Sequence, residues 1–212
     1  MKTQTLLNKT GVTLIELLVV LVIFGVVVAG IYRVFVAQTR AYTVQDQVVE
    51  VQQNIRSAME ILLKDLRTAG YDNDNINSKI TIINPVVPGD HSVTVNYEYD
   101  NTNRYEVLYS LNSGTLTRQL SMVPNTGTTS TTSEDILENV DALNFQYGVD
   151  TNDDGGVENW VSAGSTGAGK VIAVRVTLRA RPDQTNPDVK KSVVPRELES
   201  TVTLRNRCLI KF

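Results

Sequence analysis

An apolar run near the start of the chain constrains its fold more than any other feature. Residues 12–32 read VTLIELLVVLVIFGVVVAGIY, and the only charged side chain among them is Glu16. About twenty helical residues span the roughly 30 Å hydrocarbon core of a bilayer. Lys2 and Lys9 precede the run and no acidic residue does, and positive charge before a span places that end in the cytoplasm. The sequence therefore predicts an N-terminal membrane anchor.

Glu16 separates three interpretations of this anchor. A secretory signal peptide needs a small-residue cleavage site after its apolar core, and Ala29-Gly30 is a candidate for one. A permanent single-span anchor explains the length of the run but not its carboxylate. An acidic side chain inside a span costs about 2.5–3.5 kcal/mol on insertion scales. The third interpretation is therefore a span in which Glu16 has a partner or a function.

The residues around Glu16 carry a family resemblance. Gly11-Val12-Thr13-Leu14-Ile15-Glu16, followed by LLVVLVIFGVVV, resembles the prepilin cleavage and methylation motif of type IV pilins and type II secretion pseudopilins. The resemblance implies that a membrane aspartyl protease cuts after Gly11 and methylates the new N-terminus at Val12, where the family usually has Phe.

The same resemblance gives Glu16 a role in subunit assembly. Cleavage creates an amine at Val12, four residues before Glu16 and therefore about one helical turn away. In a filament, Glu16 of one subunit is expected to pair with the Val12 amine of its neighbour. Such a pair matters most in apolar surroundings, where either ion alone is heavily penalised. This pairing would fix the axial register between subunits.

The helical pattern continues beyond the anchor. Apolar residues recur at steps of three and four, as one face of an amphipathic helix requires, and Gly70 supplies a stop. These residues are Val44, Val48, Val51, Ile55, Met59, Leu62 and Leu66. We predict one helix of roughly 55 residues, from 13 to 69. Its distal stripe is expected to cover a globular head, and a dimeric coiled coil is the alternative.

Four parts of the chain follow from these patterns. We expect a leader at residues 1–11, a transmembrane and polymerisation helix at 12–36, an amphipathic helix of the head at 37–70, and a β-rich head at 71–212. The predicted fold class is α+β, with the long helix packed on an antiparallel sheet, as in pilins.

Residues 40–72, RAYTVQDQVVEVQQNIRSAMEILLKDLRTAGYD, look like the corresponding stretch of PilW-like minor pilins, which are similar to J-type secretion pseudopilins. The resemblance implies a minor pilin of the type IV pilus. A minor pseudopilin of type II secretion and a membrane-anchored surface-binding module are the alternatives. The implied partners are other pilins, the prepilin peptidase and an inner-membrane assembly platform. The implied location is the bacterial inner membrane, followed by an extracellular pilus or a periplasmic pseudopilus.

The head is predicted to consist of short strands separated by turns. Asn112-Ser113-Gly114 indicates a tight hairpin, and the polar stretch 124–135 is predicted to be a flexible loop. The candidate strands are Lys79–Ile83, Ser92–Tyr99, Tyr105–Leu111, Thr115–Leu120, Ile136–Tyr147, Val171–Ala180 and Glu199–Arg207.

The loop that begins at Asp150 is a candidate calcium site. Asp150-Thr151-Asn152-Asp153-Asp154-Gly155 fits the first half of an EF-hand loop, but the twelfth position is Val161 rather than Glu. Glu158 and the Gly156 carbonyl are expected to close a shorter loop, so the candidate ligands are Asp150, Asn152, Asp154, Gly156 and Glu158. Related pseudopilins carry calcium in their heads. The alternative is an acidic turn without a metal.

The remaining composition argues against most enzymes and against nucleic acid as a partner. The formal charge is −3 with no basic block. Cys208, expected on a C-terminal strand, is the single cysteine, and His91 is the single histidine. No intrachain disulfide and no Ser-His-Asp set can be assembled from these residues, and a zinc site is not expected. We therefore predict a protein without catalytic activity.

Overall fold

The computed structural model describes residues 11–72, 82, 84–100, 102–167, 169–182, 185 and 187–208. Helix α1 spans Leu14–Thr68, which is 55 residues, so the predicted long helix is confirmed. The chain divides into two compact units, one ending at Gln45 and the other beginning at Asp46.

The first unit contains the apolar part of α1. Every large apolar side chain from Leu14 to Phe35 is exposed. By length and composition, α1 is the one helix in the described part of the chain that can cross a membrane, and its best 18-residue window has a mean hydropathy of 3.0. An exposed apolar surface of this extent needs lipid or other protein around it.

The second unit is a head of antiparallel strands in two sheets, which confirms the α+β class. The first sheet has the order β1-β2-β3-β4-β5, and the second has the order β7-β6-β8-β9. The first sheet comprises β1 Val86–Pro88, β2 Ser92–Asp100, β3 Asn103–Asn112, β4 Thr115–Pro124 and β5 Ser130–Leu137. The second comprises β6 Val140–Asp150, β7 Asn159–Val161, β8 Lys170–Ala180 and β9 Arg196–Thr203. A 3-10 helix at Ala163–Ser165 and two short α-helices, α2 Pro187–Ser192 and α3 Arg205–Cys208, complete the described head.

The distal stripe of α1 forms the centre of the head core. The buried members of the predicted stripe are Val51, Ile55, Met59, Leu62 and Leu66, each at most 7% exposed. They belong to one apolar cluster with side chains from both sheets, including Val95, Val107, Phe145, Val176 and Leu178. The stripe is thus used inside its own head, as predicted, and the coiled-coil alternative is wrong for this part of the helix.

The tight hairpin is confirmed. Asn112 pairs with Thr115 across it, and Ser113 and Gly114 have φ values of 50° and 84°. Two consecutive positive φ angles are the signature of the hairpin turn whose twist matches that of the flanking strands.

The prediction of a loop at 124–135 was wrong over most of its length. β4 continues to Pro124, and β5 begins at Ser130 and pairs with β4 from Met122 to Leu116. The polar composition suggested a loop because β5 buries almost nothing, since its first six side chains are exposed. Backbone pairing holds β5 in place instead, and its threonines favour the extended conformation.

Other boundaries also differ from the predictions. The predicted strand Ile136–Tyr147 is interrupted at Glu138 and Asn139, where Asn139 adopts φ 55° and the chain passes from one sheet to the other. The last strand ends at Thr203, so Cys208 lies in α3 and not on a strand. Apart from Ile82, the predicted strand at 79–83 lies outside the described residues.

Candidate functional site

The start of α1 leaves three residues in a non-helical conformation. Gly11, Val12 and Thr13 precede the helix, which begins at Leu14. The Thr13 hydroxyl accepts the backbone N–H of Glu16 at 3.3 Å, and the Thr13 carbonyl accepts the N–H of Leu17 at 3.2 Å. Thr13 is therefore the N-cap of α1.

Thr13 is a residue that the sequence analysis missed. The signal for it was present, because Thr followed three positions later by Glu is the capping-box pattern that precedes a helix. The cap separates the helix from the Gly11–Val12 peptide bond, which stays in open chain.

The structure places Glu16 in the first turn of α1, where its side chain is exposed. A carboxylate in the first turn interacts favourably with the positive end of the helix dipole. Val12 lies just before that turn. The two assembly residues proposed from the sequence are thus close together at one end of an apolar helix.

The acidic loop of the head lies between β6 and β7. Asp150, Asp154 and Glu158 each offer a carboxylate oxygen within 4.8 Å of the other two. The structure therefore brings together three of the five residues proposed as calcium ligands. The other two contact Asp154: the Asn152 amide donates to its carboxylate at 3.0 Å, and the Gly156 N–H donates to it at 2.7 Å.

Hydrogen bonds within the loop already occupy its carboxylates. Asp150, which is 2% exposed, accepts the N–H groups of Asp153 at 2.6 Å and Gly155 at 2.9 Å. Glu158 accepts the N–H of Thr151 at 2.8 Å. Burial acts to raise the pKa of Asp150, but these backbone donors outweigh it and hold the pKa below its usual value. The loop is thus closed by its own backbone, and calcium binding there stays a prediction.

Two family models match the chain. The model described as the prokaryotic N-terminal methylation motif matches residues 6–32, which include Gly11, Val12 and Glu16. The model described as type IV pilus-assembly protein W matches residues 104–206, from β3 to α3. The chain belongs to the type IV pilin-like minor pilins. None of the curated proteins compared with it matches significantly.

The two matches cover both functional parts of this minor pilin. The methylation motif contains the capped start of α1, and it shows a subunit that is processed and methylated at its N-terminus. The pilus-assembly model covers the strands from β3 to β9 and shows participation in type IV pilus assembly. The minor pilin is therefore a structural subunit, with a precursor that is anchored in a membrane.

Proposed function

We propose that this minor pilin is cut between Gly11 and Val12 and then enters a type IV pilus through α1. The observation that carries this proposal is the arrangement at the start of the helix. A non-helical Gly11–Thr13 segment directly precedes a helix whose large apolar side chains are all exposed from Leu14 to Phe35. Proteases bind an extended peptide, and the capped helix leaves one at the proposed cleavage point.

The exposed surface of α1 must stay away from water throughout assembly. In the precursor the lipid covers it, and in a filament the corresponding helices of neighbouring subunits do. Removing apolar surface from water is favourable by about 25 cal/mol per Å². The gain is similar whether lipid or a filament core covers the surface, so it does not favour one over the other. A polar interaction that forms only between subunits is therefore needed to favour the filament.

Glu16 and the Val12 amine supply that interaction in our proposal. A lone ion in apolar surroundings costs several kcal/mol, and an opposite charge offsets this cost only when the pair forms. Glu16 of an incoming subunit pairs with the methylated Val12 amine of its neighbour. The pair forms at one axial offset only, so it sets the register along the filament.

The partners in this scheme are the prepilin peptidase, which removes the leader, the inner-membrane assembly platform, and the neighbouring pilins. The subunit is first a single-span inner-membrane precursor with a cytoplasmic N-terminus, and later part of an extracellular filament. We place it at the initiating tip of the pilus or incorporated along it.

N-terminal mass analysis of the protein from purified pili tests the cleavage step. The expected chain begins at Val12 and carries one added methyl group. A Gly11→Leu precursor is expected to keep its leader and to accumulate in the membrane. A wild-type subunit that retains residues 1–11 in the filament would disprove the proposal.

A separate pair of variants tests Glu16. Glu16→Ala is expected to reduce incorporation into pili while leaving leader cleavage intact. Glu60→Ala removes another exposed carboxylate of α1 and is expected to assemble normally. Normal incorporation of Glu16→Ala would rule out the pairing but not the cleavage.

The two alternative functions predict different results for the same membrane and pilus preparations. A minor pseudopilin of type II secretion would assemble only with a secretion system, and the match to a pilus-assembly model favours the pilus. A membrane-anchored binding module would keep its leader and would not leave the inner membrane.

A further inference from the structure

We propose that the free edge of β5 binds an extended, basic segment of a different protein, which joins the first sheet as an additional strand. The segment pairs with residues 130–135 and places a lysine or arginine in a groove at the end of β5. This inference goes beyond the proposed function, because none of its residues takes part in leader cleavage or in the pairing of Glu16. All of them lie in the second compact unit, from Asp46 onward.

β5 has a long edge that no described strand or helix covers. It is the last strand of the first sheet, and β4 is its one partner among the described strands. Two other edge strands, β1 and β7, have three residues each. β9 has eight residues, as β5 has, but residues 196–198 of β9 line a depression together with α1. The side chains of residues 130–135 are all exposed.

The hairpin between β3 and β4 shows which backbone groups of β5 point outward. Its two-residue turn joins Asn112 to Thr115 by hydrogen bonding, and bonded pairs alternate along an antiparallel ladder. Even-numbered residues of β4 therefore bond to β5, as Met122 does to Ser130. The residues of β5 whose N–H and C=O groups point away from β4 are Thr131, Ser133 and Asp135.

This edge lacks the features that usually protect a long edge strand. Proteins protect such edges with proline, lysine, a bulge or a covering element. Residues 130–135 read STTSED, with neither proline nor lysine, and their pairing with β4 is regular up to Asp135. An added strand would bond to backbone groups that otherwise face water. The regular, open edge therefore indicates a site for strand addition.

A groove begins where β5 ends. It is lined by α1, by the last two residues of β5 and the turn that follows them, and by the end of β8, and its volume is about 330 Å³. Val51, Leu137 and Ala180 are its buried apolar members. Glu50 and Glu138 line it as exposed carboxylates. We call this surface the acidic groove, and it continues the open edge of β5.

The charges at the end of β5 favour a basic partner. Asp135, Glu138 and Glu50 are exposed carboxylates. Arg181 also lines the acidic groove, but its Nε lies 2.6 Å from Asp141 Oδ1. Apolar walls suit the methylene stem of a lysine or arginine, and carboxylates suit the cation at its end. A second β5 would instead add carboxylates to this place, and like charges repel.

The direction of pairing decides where the basic residue stands in the bound segment. All neighbouring strands of the first sheet are antiparallel, and this pairing is slightly more stable than the parallel one. An antiparallel segment begins beside the end of β5 and runs back toward Ser130. Its basic residue is therefore at its N-terminal end, next to the acidic groove.

A synthetic peptide tests strand addition. The probe begins with two arginines, continues with alternating threonine and valine, and carries N-methyl groups on the amides of one edge, so that it cannot pair with itself. The control peptide has the same sequence and is N-methylated on both edges. Fluorescence anisotropy with the full chain in detergent should show the probe binding at least about tenfold more tightly, because the control cannot donate hydrogen bonds to β5. Equal binding of the two peptides would overturn the inference.

Amide hydrogen exchange locates the bound probe. In the free chain the outward N–H groups of Thr131, Ser133 and Asp135 face water and should exchange quickly, and the probe should slow their exchange. The N–H of Thr132 bonds to β4 in both states and should change little. Slower exchange elsewhere on the head, without a change at these three residues, would contradict the proposed site.

Two substitutions of one edge residue form a matched pair. Ser133→Pro removes an outward N–H at an edge position, where proline is tolerated, and should weaken binding of the probe about tenfold. Ser133→Thr keeps the N–H and should bind as the wild type does. Thermal melting shows whether both chains fold, and if Ser133→Pro does not, the two peptides still decide. A folded Ser133→Pro chain that binds the probe as tightly as the wild type would refute strand addition.

Charge exchange tests the acidic groove. Glu138→Lys and Glu50→Lys should each weaken binding of the probe about fivefold. A probe that begins with two glutamates should bind Glu138→Lys more tightly than it binds the wild type. Glu60→Lys, exposed on α1 and outside the groove, should leave the binding of both probes unchanged. If Glu138→Lys behaves like Glu60→Lys, the groove does not receive the basic residue and the inference fails.

Photocrosslinking in intact cells tests the choice of occupant. A photoreactive phenylalanine derivative replaces Thr131, and mass spectrometry then identifies the stretch of chain that becomes attached to it. The expected stretch is an extended, basic segment of a different protein, and attachment to a second copy of this chain would overturn the inference. The peptide assays use the uncut chain, so they decide strand addition even if leader cleavage, and with it the proposed function, is disproved.

Discussion

Single side chains join α1 to the first sheet through a buried polar cluster. The Tyr109 hydroxyl donates to Asp65 Oδ2 at 2.6 Å, and Arg118 Nε donates to the same oxygen at 2.8 Å. Arg118 also donates to Glu134 on β5 at 2.8 Å. Burial and the contact with Asp65 raise the pKa of Tyr109. The Tyr109 hydroxyl therefore keeps its proton and acts as a donor, and the cluster links the helix to the edge strand.

Removing one member of this cluster is expected to destabilise the head. Asp65→Ala leaves the Arg118 guanidinium and the Tyr109 hydroxyl without their shared acceptor, which should cost about 2–3 kcal/mol. Urea unfolding of the full chain in detergent measures this loss in the free energy of unfolding, with the fluorescence of the single tryptophan, Trp160, as the signal. Glu106→Ala breaks a half-exposed contact with Arg104 at 3.8 Å and should cost less than about 1 kcal/mol. Equal losses in the two variants would contradict this account.

Asp100 is expected to make the head sensitive to acid. Side-chain hydrogen bonds from Asn103 and Thr102 lower its pKa to about 2, whereas an unfolded Asp has a pKa of about 3.9. A folded-state pKa below the unfolded one gives stability above the unfolded pKa that is lost as the pH falls through the folded pKa. We therefore expect the melting temperature to fall between about pH 4 and pH 2.

An Asp100→Asn variant checks this assignment. It removes the titrating group, so its melting temperature should fall less over that pH range than that of the wild type. Glu60→Gln, on the exposed side of α1, serves as the control and should follow the wild type. If the melting temperature of Asp100→Asn depends on pH as steeply as that of the wild type, other groups cause the acid sensitivity.

At the scale of elements, the end of α1 is fixed by residues distant in sequence. Gly70 adopts φ 73°, and its N–H donates to the Asn96 carbonyl on β2 at 2.8 Å. The Asn206 amide donates to the Ala69 carbonyl at 3.1 Å. The helix terminus is thus capped by a glycine turn and by a side chain from α3.

Gly70→Ala is expected to weaken this terminus. A left-handed φ costs a residue with a Cβ about 1–2 kcal/mol, and the new Cβ would lie 3.0 Å from Pro85 Cβ. Thermal unfolding should therefore show a clear decrease in stability. Gly164→Ala is the matched control, since its Cβ would meet nothing within 4 Å, and we expect a change within about 0.5 kcal/mol. A stable Gly70→Ala protein would contradict the strain argument.

Melting temperatures test whether the acidic loop between β6 and β7 binds calcium. If the loop binds calcium, millimolar calcium should raise the melting temperature over that in chelator, because a ligand of the folded state stabilises it. Asp154→Ala should abolish the shift. Asp153→Ala should keep it, because Asp153 pairs with Lys170 at 3.1 Å and is not one of the three clustered carboxylates. Equal melting in calcium and chelator would eliminate the metal.

At the scale of the whole molecule, the chain contains an apolar helix segment with an exposed surface and a head that buries its apolar side chains in a core. The uncut chain should cross the inner membrane once, with its lysine-bearing leader in the cytoplasm and its head outside. In a Cys208→Ser background, Thr128→Cys, on an exposed turn, should react with a membrane-impermeant maleimide in spheroplasts. A cysteine at Lys2 in the Gly11→Leu precursor should react only after lysis. The reverse pattern would contradict the orientation.

Much of the fold and part of the site could be predicted from the sequence because their signals are local. The apolar run and the periodic stripe from Val51 to Leu66 predict the body of α1 from side-chain spacing, and Gly70 predicts where it stops. Gly11, Val12 and Glu16 could be proposed because they lie in one contiguous segment, the one that the methylation-motif model matches. The pattern of short strands separated by turn signals likewise located β2, β3 and β8.

Only the tertiary structure decided the features that depend on partners far along the chain. β5 has no apolar face, so its extended form depends on pairing with β4 and on the Arg118–Glu134 contact. The division into two sheets depends on the left-handed turn at Asn139. One surface depression beside α1 combines Ser57 with Ile136 and Arg181, and a second combines Arg56 with Arg196, so residues distant in sequence form each of them. The spacing of residues along the sequence does not predict such pairings, because they form only when the core brings the elements together.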